Sequence, residues 1–557
     1  MRPRVRLLIK NPAVTSFNQT TMQTFDYVIV GGGSAGCVLA SRLTEDPHTS
    51  VCLLEAGGAG RNWLVRVPFG MVLTVPAPFI NWGFKTVPQT QLDGRRLYQP
   101  RGRVLGGSSA LNAMIYTRGH PGDYDAWAAA GNPGWSWAEV LPYFKRGEAN
   151  AQFYDGYHGT DGPQPVHDSF TDNPMHKVFL DAARQAGFAV SPDFNGAQQE
   201  GVGVYQVTQR DGERWSVARA YLEPNLSRPN LTVLSGARAR RVLFDNRRAS
   251  SVQYRRGGRL EIAGARREVI LSAGTFQSPQ LLMLSGIGDG QDLQALGIGV
   301  LQNLPGVGKN LQDHLDYTLI HRGRSLDLIG ASPQGILRFM HAMGRYHRER
   351  RGMLCTNVAE AGGFLKTNAA LPRSDVQLHF CVAIVHNHGR TLQHLWHGYS
   401  LHVCVLRPMS RGKVRLASAD PMAAPLIDPA YLSDPHDLEV LVRGFKLARR
   451  ILAAPAFDPY RGRELFSAGA VSDADICALI RARAETIYHP VGTCRMGRDD
   501  AAVVDAALTV RGVEGLRVVD ASVMPALIGG NTNAPTMMIA EKAADMIRSQ
   551  SAAATSR

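Results

Sequence analysis

Gly31, Gly33 and Gly36 stand in the spacing Gly-x-Gly-x-x-Gly, between the apolar run Phe25 to Val30 and a segment that ends on Glu55. Each position has a chemical use. Gly31 permits a tight turn, Gly33 lets backbone approach a pyrophosphate, and Gly36 lets a helix pack closely on a strand. A pyrophosphate would rest on unpaired N–H groups at the positive end of the helix opened by Ser34 and Ala35. Glu55 would accept hydrogen bonds from ribose hydroxyls and repel a 2′-phosphate. The chemistry is that of holding an adenine dinucleotide, with NADP disfavoured. A second loop, Gly102 to Asn112, sets Gly106-Gly107 and Ser108-Ser109 before what reads as an apolar helix, again offering N–H and hydroxyl groups to phosphates. A third, Gly529 to Thr536, places asparagine and threonine before a terminal helix, whose dipole would face an anion or an electron-rich ring.

The elements that must position these groups follow from hydrophobic patterning. Phe25 to Val30 reads as a buried parallel strand, Ser34 to Thr44 as a helix and Ser50 to Leu54 as a second strand. Ser278 reads as a helix cap with Pro279 at the first helical position, and that helix stops at Gly286. Leu516 to Val519 reads as a strand delivering Asp520, and the last helix is expected to run through Ile547, with a frayed tail after Ser549. Gly57 to Pro100, rich in Pro, Gly and aromatics, reads as an excursion over the cofactor. Dinucleotide-binding elements thus occur at both ends and in the middle of 557 residues, a length that exceeds one hydrophobic core. The expected division is a nucleotide domain from 22–155, 210–312 and 482–550, with a second domain inserted twice as 156–209 and 313–481.

Composition narrows the classes. An apolar fraction of 44% and a charged fraction of 19% suit a globular enzyme. The net charge of +14 comes without a compact basic block interleaved with aromatics, so nucleic acid is not an expected partner, while peripheral contact with a membrane is compatible. The seven dispersed cysteines lack a Cys-x-x-Cys pair, which points to a reducing compartment and away from a disulfide or zinc framework. No apolar stretch is long enough to span a bilayer. Residues 1–21 carry four basic groups and no acid, with too short an apolar centre for a signal peptide. They read as an extension without a folded role, or as a start upstream of the true one at Met22. Six histidines between His379 and His402, including His386 and His388, invite a metal reading. No cysteine or acid pattern completes a set, so they are assigned to strands and a loop, with no metal.

Four segments carry a family resemblance: Gly102 to Arg118, Gly274 to Gly288, Leu304 to His314 and Tyr488 to Gly497. The chain resembles the glucose–methanol–choline (GMC) oxidoreductases from about Thr24 to Ile547. Arg118-Gly119-His120, Asn357 to Glu360 and Asn531 to Thr536 are most similar to bacterial membrane-associated dehydrogenases of aliphatic primary alcohols, with choline dehydrogenases next. The resemblance implies an α/β protein (α+β overall): a Rossmann-like doubly wound FAD-binding domain with an inserted antiparallel-sheet substrate domain. It implies FAD against Gly31, Gly33, Ser34, Ala35, Gly36, Glu55, Ala56, Arg103, Gly106, Gly107, Ser108, Asn112, Ala113, Ala239, Asp520, Ala521, Asn533, Pro535 and Thr536. Where some members link FAD through a histidine this chain has Leu111, so the flavin is expected to be non-covalent.

The implied reaction is oxidation of a primary alcohol to the aldehyde, with hydride transfer to flavin N5. His489, in a rigid turn before Pro490, matches the position of a general base. Asn533 matches the position of the residue that holds the substrate oxygen, with Asn531 its rival. Glu360 matches an acid that faces a substrate cation in choline dehydrogenases. Quinone or another respiratory acceptor would take the electrons. Oxygen, choline as substrate, and a non-redox lyase that keeps FAD are the alternatives. The expected location is cytoplasmic, with peripheral contact at the inner membrane the variant; the oligomeric state is left open.

Overall fold

The computed structural model describes residues 22–169, 171–387 and 392–555. The leader 1–21 and His388 lie outside the described residues.

Strand Gln23–Val30 is buried on both faces from Phe25 onward, which suits the centre of a parallel sheet. Its parallel neighbours are Val51–Glu55 and the last part of Arg259–Leu271. Leu231–Ser235 pairs beyond Val51–Glu55, and Leu516–Val518 pairs with Val269 to Leu271, both parallel. The first half of Arg259–Leu271 does something else: it runs antiparallel to Arg248–Arg256, which pairs in turn with Arg238–Asp245. One long strand therefore joins a parallel layer to an antiparallel ribbon. Helix Ser34–Leu43 leaves the first strand and packs against the terminal helix Asn533–Thr555. Arg42 grips Glu541 with two nitrogens, at 2.9 and 2.8 Å, and the Tyr221 hydroxyl donates to the same carboxylate at 2.8 Å.

The second large sheet is antiparallel. Its order is Glu464–Leu465, Leu315–Arg322, Gly398–Val405, Val376–Cys381, Ala361–Leu365 and Gly201–Val204, with Glu485–Thr486 paired to the start of Leu315–Arg322. Helices Met175–Gln185 and Pro435–Leu452 bury apolar faces against it, in a core separate from that of the parallel sheet. The architecture is the α/β one expected, a doubly wound sheet beneath an antiparallel roof. Among the described residues no helix is long and apolar enough to cross a membrane.

Local expectations needed three corrections. No apolar helix follows the second loop; Gly107–Ala110 is one 3₁₀ turn, and the chain reaches its next helix only at Pro121–Ala129. The Asn112 side chain, held by the Met114 N–H and by Arg214, keeps that stretch open. Ser278 is no cap: the helix already starts at Gln277, and the Ser278 hydroxyl donates to Asp520 at 2.5 Å. The terminal helix does not fray at Ser549 but continues to Thr555, an alanine-rich extension that favours helix. Ser551 Oγ lies 2.8 Å from the Tyr27 hydroxyl there.

Candidate active site

A cavity of about 450 Å³ is walled by both sheets. One part of its wall is the first loop. Gly31 has φ +106°, and a Cβ there would stand 2.4 Å from the Ser272 carbonyl oxygen. Gly33 faces Gly107 so closely that a Cβ on Gly107 would lie 2.8 Å from the Gly33 Cα. The two glycine loops therefore meet backbone to backbone, leaving the lining free of side chains where a dinucleotide needs room. Glu55 ends the second strand with its oxygens 2.9 Å from the Gly32 nitrogen and 2.7 Å from the Gly57 nitrogen, both donating. Burial pushes its carboxyl up to about 7 despite those donors.

Of the expected cofactor residues, Gly31, Gly33, Ser34, Ala35, Glu55, Ala56, Gly107, Ser108, Asn112, Ala113, Ala239, Asp520, Ala521, Asn533 and Thr536 line this cavity, as does Leu111. Gly36, Arg103, Gly106 and Pro535 do not. Gly36 serves packing, since a Cβ there would sit 1.9 Å from the Gly31 oxygen. Arg103 instead lies over the Trp82 ring at 5.0 Å. Arg214 was not foreseen. Fully buried, it donates to the Asn112 carbonyl at 2.6 Å, to Asn112 Oδ1 at 2.9 Å and to the Ser109 carbonyl at 3.3 Å. Burial lowers its pKa to about 9.

The chemical end of the cavity is built by an irregular ladder. Glu485 and Thr486 pair with Asp316 and Leu315, the Ile487 N–H donates to the His314 carbonyl, and Val491 pairs with Gln312. Tyr488, His489 and Pro490 thus stand opposite the single Asp313, a bulge that pushes His489 into the cavity. Tyr488 takes φ +71°, a left-handed conformation costly for an aromatic residue. Several bonds hold it: Arg101 donates to the Tyr488 carbonyl at 2.7 Å, and Asp313 accepts from the His489 N–H at 2.8 Å. Asp313 also accepts from the Thr486 and Tyr431 hydroxyls, at 2.5 Å each.

Both nitrogens of His489 are assigned by their neighbours. Nδ1 lies 3.0 Å from His314 Nδ1, and His314 Nε2 lies 3.2 Å from the Leu406 carbonyl, which can only accept. His314 must therefore carry its proton on Nε2 and accept on Nδ1, so His489 carries its proton on Nδ1. His489 Nε2 is left with a lone pair, 3.1 Å from Asn531 Nδ2. The Asn531 amide is oriented as well, because its oxygen accepts from Thr117 at 3.2 Å and Gln377 at 3.1 Å. Burial first, then the adjoining His314, His379 and Arg101, hold the His489 pKa well below the ordinary histidine value. At neutral pH the site presents a neutral imidazole whose Nε2 lone pair accepts from the Asn531 amide N–H.

Asn533, expected at that point, is elsewhere. It opens the terminal helix, and its oxygen accepts from Ser34 Oγ at 2.7 Å, beside the dinucleotide loop. The helix starts two residues past Asn531, which leaves Asn531 in the preceding loop with its N–H donating to Thr117 at 2.9 Å. The adjacent glycines are needed for that approach: a Cβ on Gly530 would meet Thr117 Oγ1 at 2.9 Å. Glu360 is also displaced from its expected place. It is buried off the cavity, accepting from Thr356 at 2.5 Å. Two roof-strand acids do line the cavity: Glu485, paired with Arg95 at 3.1 Å, and Asp316, 2.6 Å from His402 Nδ1. Burial would lower the His402 pKa, yet Asp316 holds it well above the ordinary value, so the two form a neutral ion pair.

Two of the six clustered histidines, His379 and His402, are directly paired across neighbouring strands and line the cavity. His379 has neither ring nitrogen bonded, and burial lowers its pKa to about 3. Among the described residues the one grouping with metal-ligand chemistry lies elsewhere, at Asp155, His158 and Asp193. His158 is bound there by Asp193 at 3.0 Å and Glu148 at 3.3 Å. Against the lowering from burial, these carboxylates raise its pKa to about 9, so it is a cation in an ion-pair network.

Comparison with known proteins bears on the whole chain. Two family models described as GMC oxidoreductase match residues 25–316 and 408–540. The chain is 50% identical over 527 residues to an alcohol dehydrogenase (acceptor) of Pseudomonas putida, covering 94% of this chain and 95% of that one. It is 46% identical over 552 residues to the mitochondrial choline dehydrogenase of Homo sapiens, covering 97% and 92%. Among solved structures it resembles pyridoxine 4-oxidase from Mesorbium loti, with TM-score 0.85, 34% identity and coverage of 94% and 99%. It also resembles formate oxidase, with TM-score 0.89, 26% identity and coverage of 95% and 99%.

Proposed function

Because the chain belongs to the GMC oxidoreductase family, whose cofactor is FAD, we propose that it oxidises an uncharged primary alcohol to the aldehyde, with His489 as base and Asn531 as oxygen-holding donor. The observation that carries this reading is the convergence of His489 Nε2 and Asn531 Nδ2 at 3.1 Å on one side of the cavity. FAD, when bound, supplies the acceptor for the hydride leaving the carbinol carbon. The side chains do the rest. An alcohol hydroxyl that takes the place of the Asn531 N–H at Nε2 donates its proton there, and the freed Asn531 N–H steadies the oxygen as negative charge grows on it. His314 keeps the His489 proton on Nδ1, so the lone pair stays turned to substrate. The glycine loops, Glu55 and the start of the terminal helix fit the dinucleotide, with the bonds from Arg214 bracing the second loop. Buried Leu111 offers no nucleophile, so attachment is non-covalent.

An uncharged substrate is favoured by the pairing of Asp316 with His402 and of Glu485 with Arg95, so that each roof-strand carboxylate lining the cavity among the described residues already has a cationic partner. Choline is the second reading. It is supported by the choline dehydrogenase relatives and by Asp316 lining the cavity at all. Quinone is the favoured electron acceptor, in keeping with the acceptor-dependent dehydrogenase among the relatives. The test is an anaerobic panel of alcohols read by loss of flavin absorbance, followed by reoxidation with oxygen or a quinone analogue. Fast bleaching by medium-length primary alcohols supports the reading. Choline as the best substrate by kcat/KM replaces it with the second, and no bleaching by any alcohol removes both.

A further inference from the structure

Helix Pro333–Glu349 lies with only Gly335 and Tyr346 buried. Its outer face carries Ile336, Leu337 and Met340, which are 53%, 71% and 58% exposed. Three large apolar side chains on two helical turns are not explained by packing within this chain.

The helix belongs to a rim around the cavity mouth. Val72 is both part of the cavity wall and exposed, so the cavity opens beside it, and the next residue, Leu73, is 59% exposed. Phe69, also a wall residue, meets Phe339 of the helix at 5.7 Å between ring centres. On the other side Ile329 lines the cavity four residues ahead of Pro333. The Ala331 N–H donates to the Leu395 carbonyl at 2.7 Å, tying in the exposed Trp396. Segments that wall the mouth on the inside thus present apolar side chains on the outside.

Basic side chains predominate on this helix. Arg338 and Arg348 are exposed along it, Arg338 with Asp327 at 3.6 Å, while Arg345 is bonded both to Asp172 and to the helix's only acid, Glu349, the latter at 3.0 Å. An amphipathic helix with apolar side chains flanked by basic ones is built to lie in the boundary between headgroups and acyl chains. We propose that this rim docks on an anionic lipid bilayer, with Ile336, Leu337 and Met340 entering the acyl boundary and the cavity mouth facing the lipid. A second copy of the chain fits the face less well, because it would bring two basic helices together on molecules of net charge +14. The docking does not depend on which alcohol is oxidised. It would let apolar substrate or acceptor pass between bilayer and cavity without crossing water.

The experiment is flotation of the flavin-loaded enzyme with phosphatidylcholine vesicles, with and without phosphatidylglycerol. The comparison variant is Ile336→Ser/Leu337→Ser/Met340→Ser. Wild type is expected to float with the anionic vesicles and far less with the neutral ones. The variant should lose that binding by roughly tenfold or more, with flavin content and bleaching by a water-soluble alcohol unchanged. Wild type that stays behind with anionic vesicles overturns the proposal, as does a variant that floats like wild type. A wild-type dimer that the variant breaks, without vesicle binding by either, shows that a second copy covers the face. Failure of the alcohol chemistry would appear separately, in bleaching measured without vesicles.

Discussion

At the residue scale the site depends on which nitrogen of His489 holds a proton. His489→Ala is expected to keep FAD and slow flavin reduction by roughly a hundredfold or more, the usual scale for a positioned base. Asn531→Ala should also slow it strongly, while Asn533→Ala should act on flavin retention, since that side chain faces Ser34. The losses in the His489/Asn531 double variant should fall short of additive, because both groups serve one oxygen; stopped-flow reduction of all four proteins checks this. The pH profile has a definite sign. Burial and cationic or histidine neighbours lower the His489 pKa, so the competent neutral form persists as pH falls past the ordinary value of ~6.5. The limiting reduction rate should stay level through that value and drop only on its acid side. A fall that begins above it contradicts the environment described for His489.

At the element scale, what was readable in the chain was local. The glycine spacing before Ser34 and the acid at Glu55 belong to one strand–turn–helix–strand unit, and their patterning is enough to find it. Asn531 and Asn533 could not be told apart this way, because helix starts shift by a residue or two and either asparagine suits one. Asp313 and His314 stand in a noticed motif, but their part is set by pairing with residues near 489, a contact with no local signature. The same holds for His379 and His402, which stand in a run assigned to strands and a loop but whose pairing across a ladder has no local signature. Arg214 is likewise invisible until the second loop folds over it. Arg214→Met should remove the brace on that loop and weaken FAD retention by roughly tenfold or more, given hydrogen bonds to a charged donor, while far-ultraviolet circular dichroism stays unchanged. Equal flavin occupancy after gel filtration would show that the loop holds its shape unaided.

At the scale of the whole molecule, two sheets with separate cores close on one cavity, and the flavin between them is expected to be held by contacts alone. Acid or heat precipitation should release the yellow colour into the supernatant; colour remaining in the pellet would mean a covalent link despite Leu111. The dinucleotide loop lies at the start of the chain, yet it is closed by the end of it. Ser34 bonds Asn533, Arg42 grips Glu541, and Leu516–Val518 joins the sheet through the long strand Arg259–Leu271. A ribosome makes the first of these partners hundreds of residues before the last. The nascent chain therefore exposes half a cofactor site through most of synthesis and can secure flavin only once the final helix has emerged. A product ending after Gly512 should be made yet remain colourless, even with FAD supplied during refolding. Absorbance near the flavin band then measures more than cofactor supply, because each yellow molecule is one whose synthesis passed through helix Asn533–Thr555.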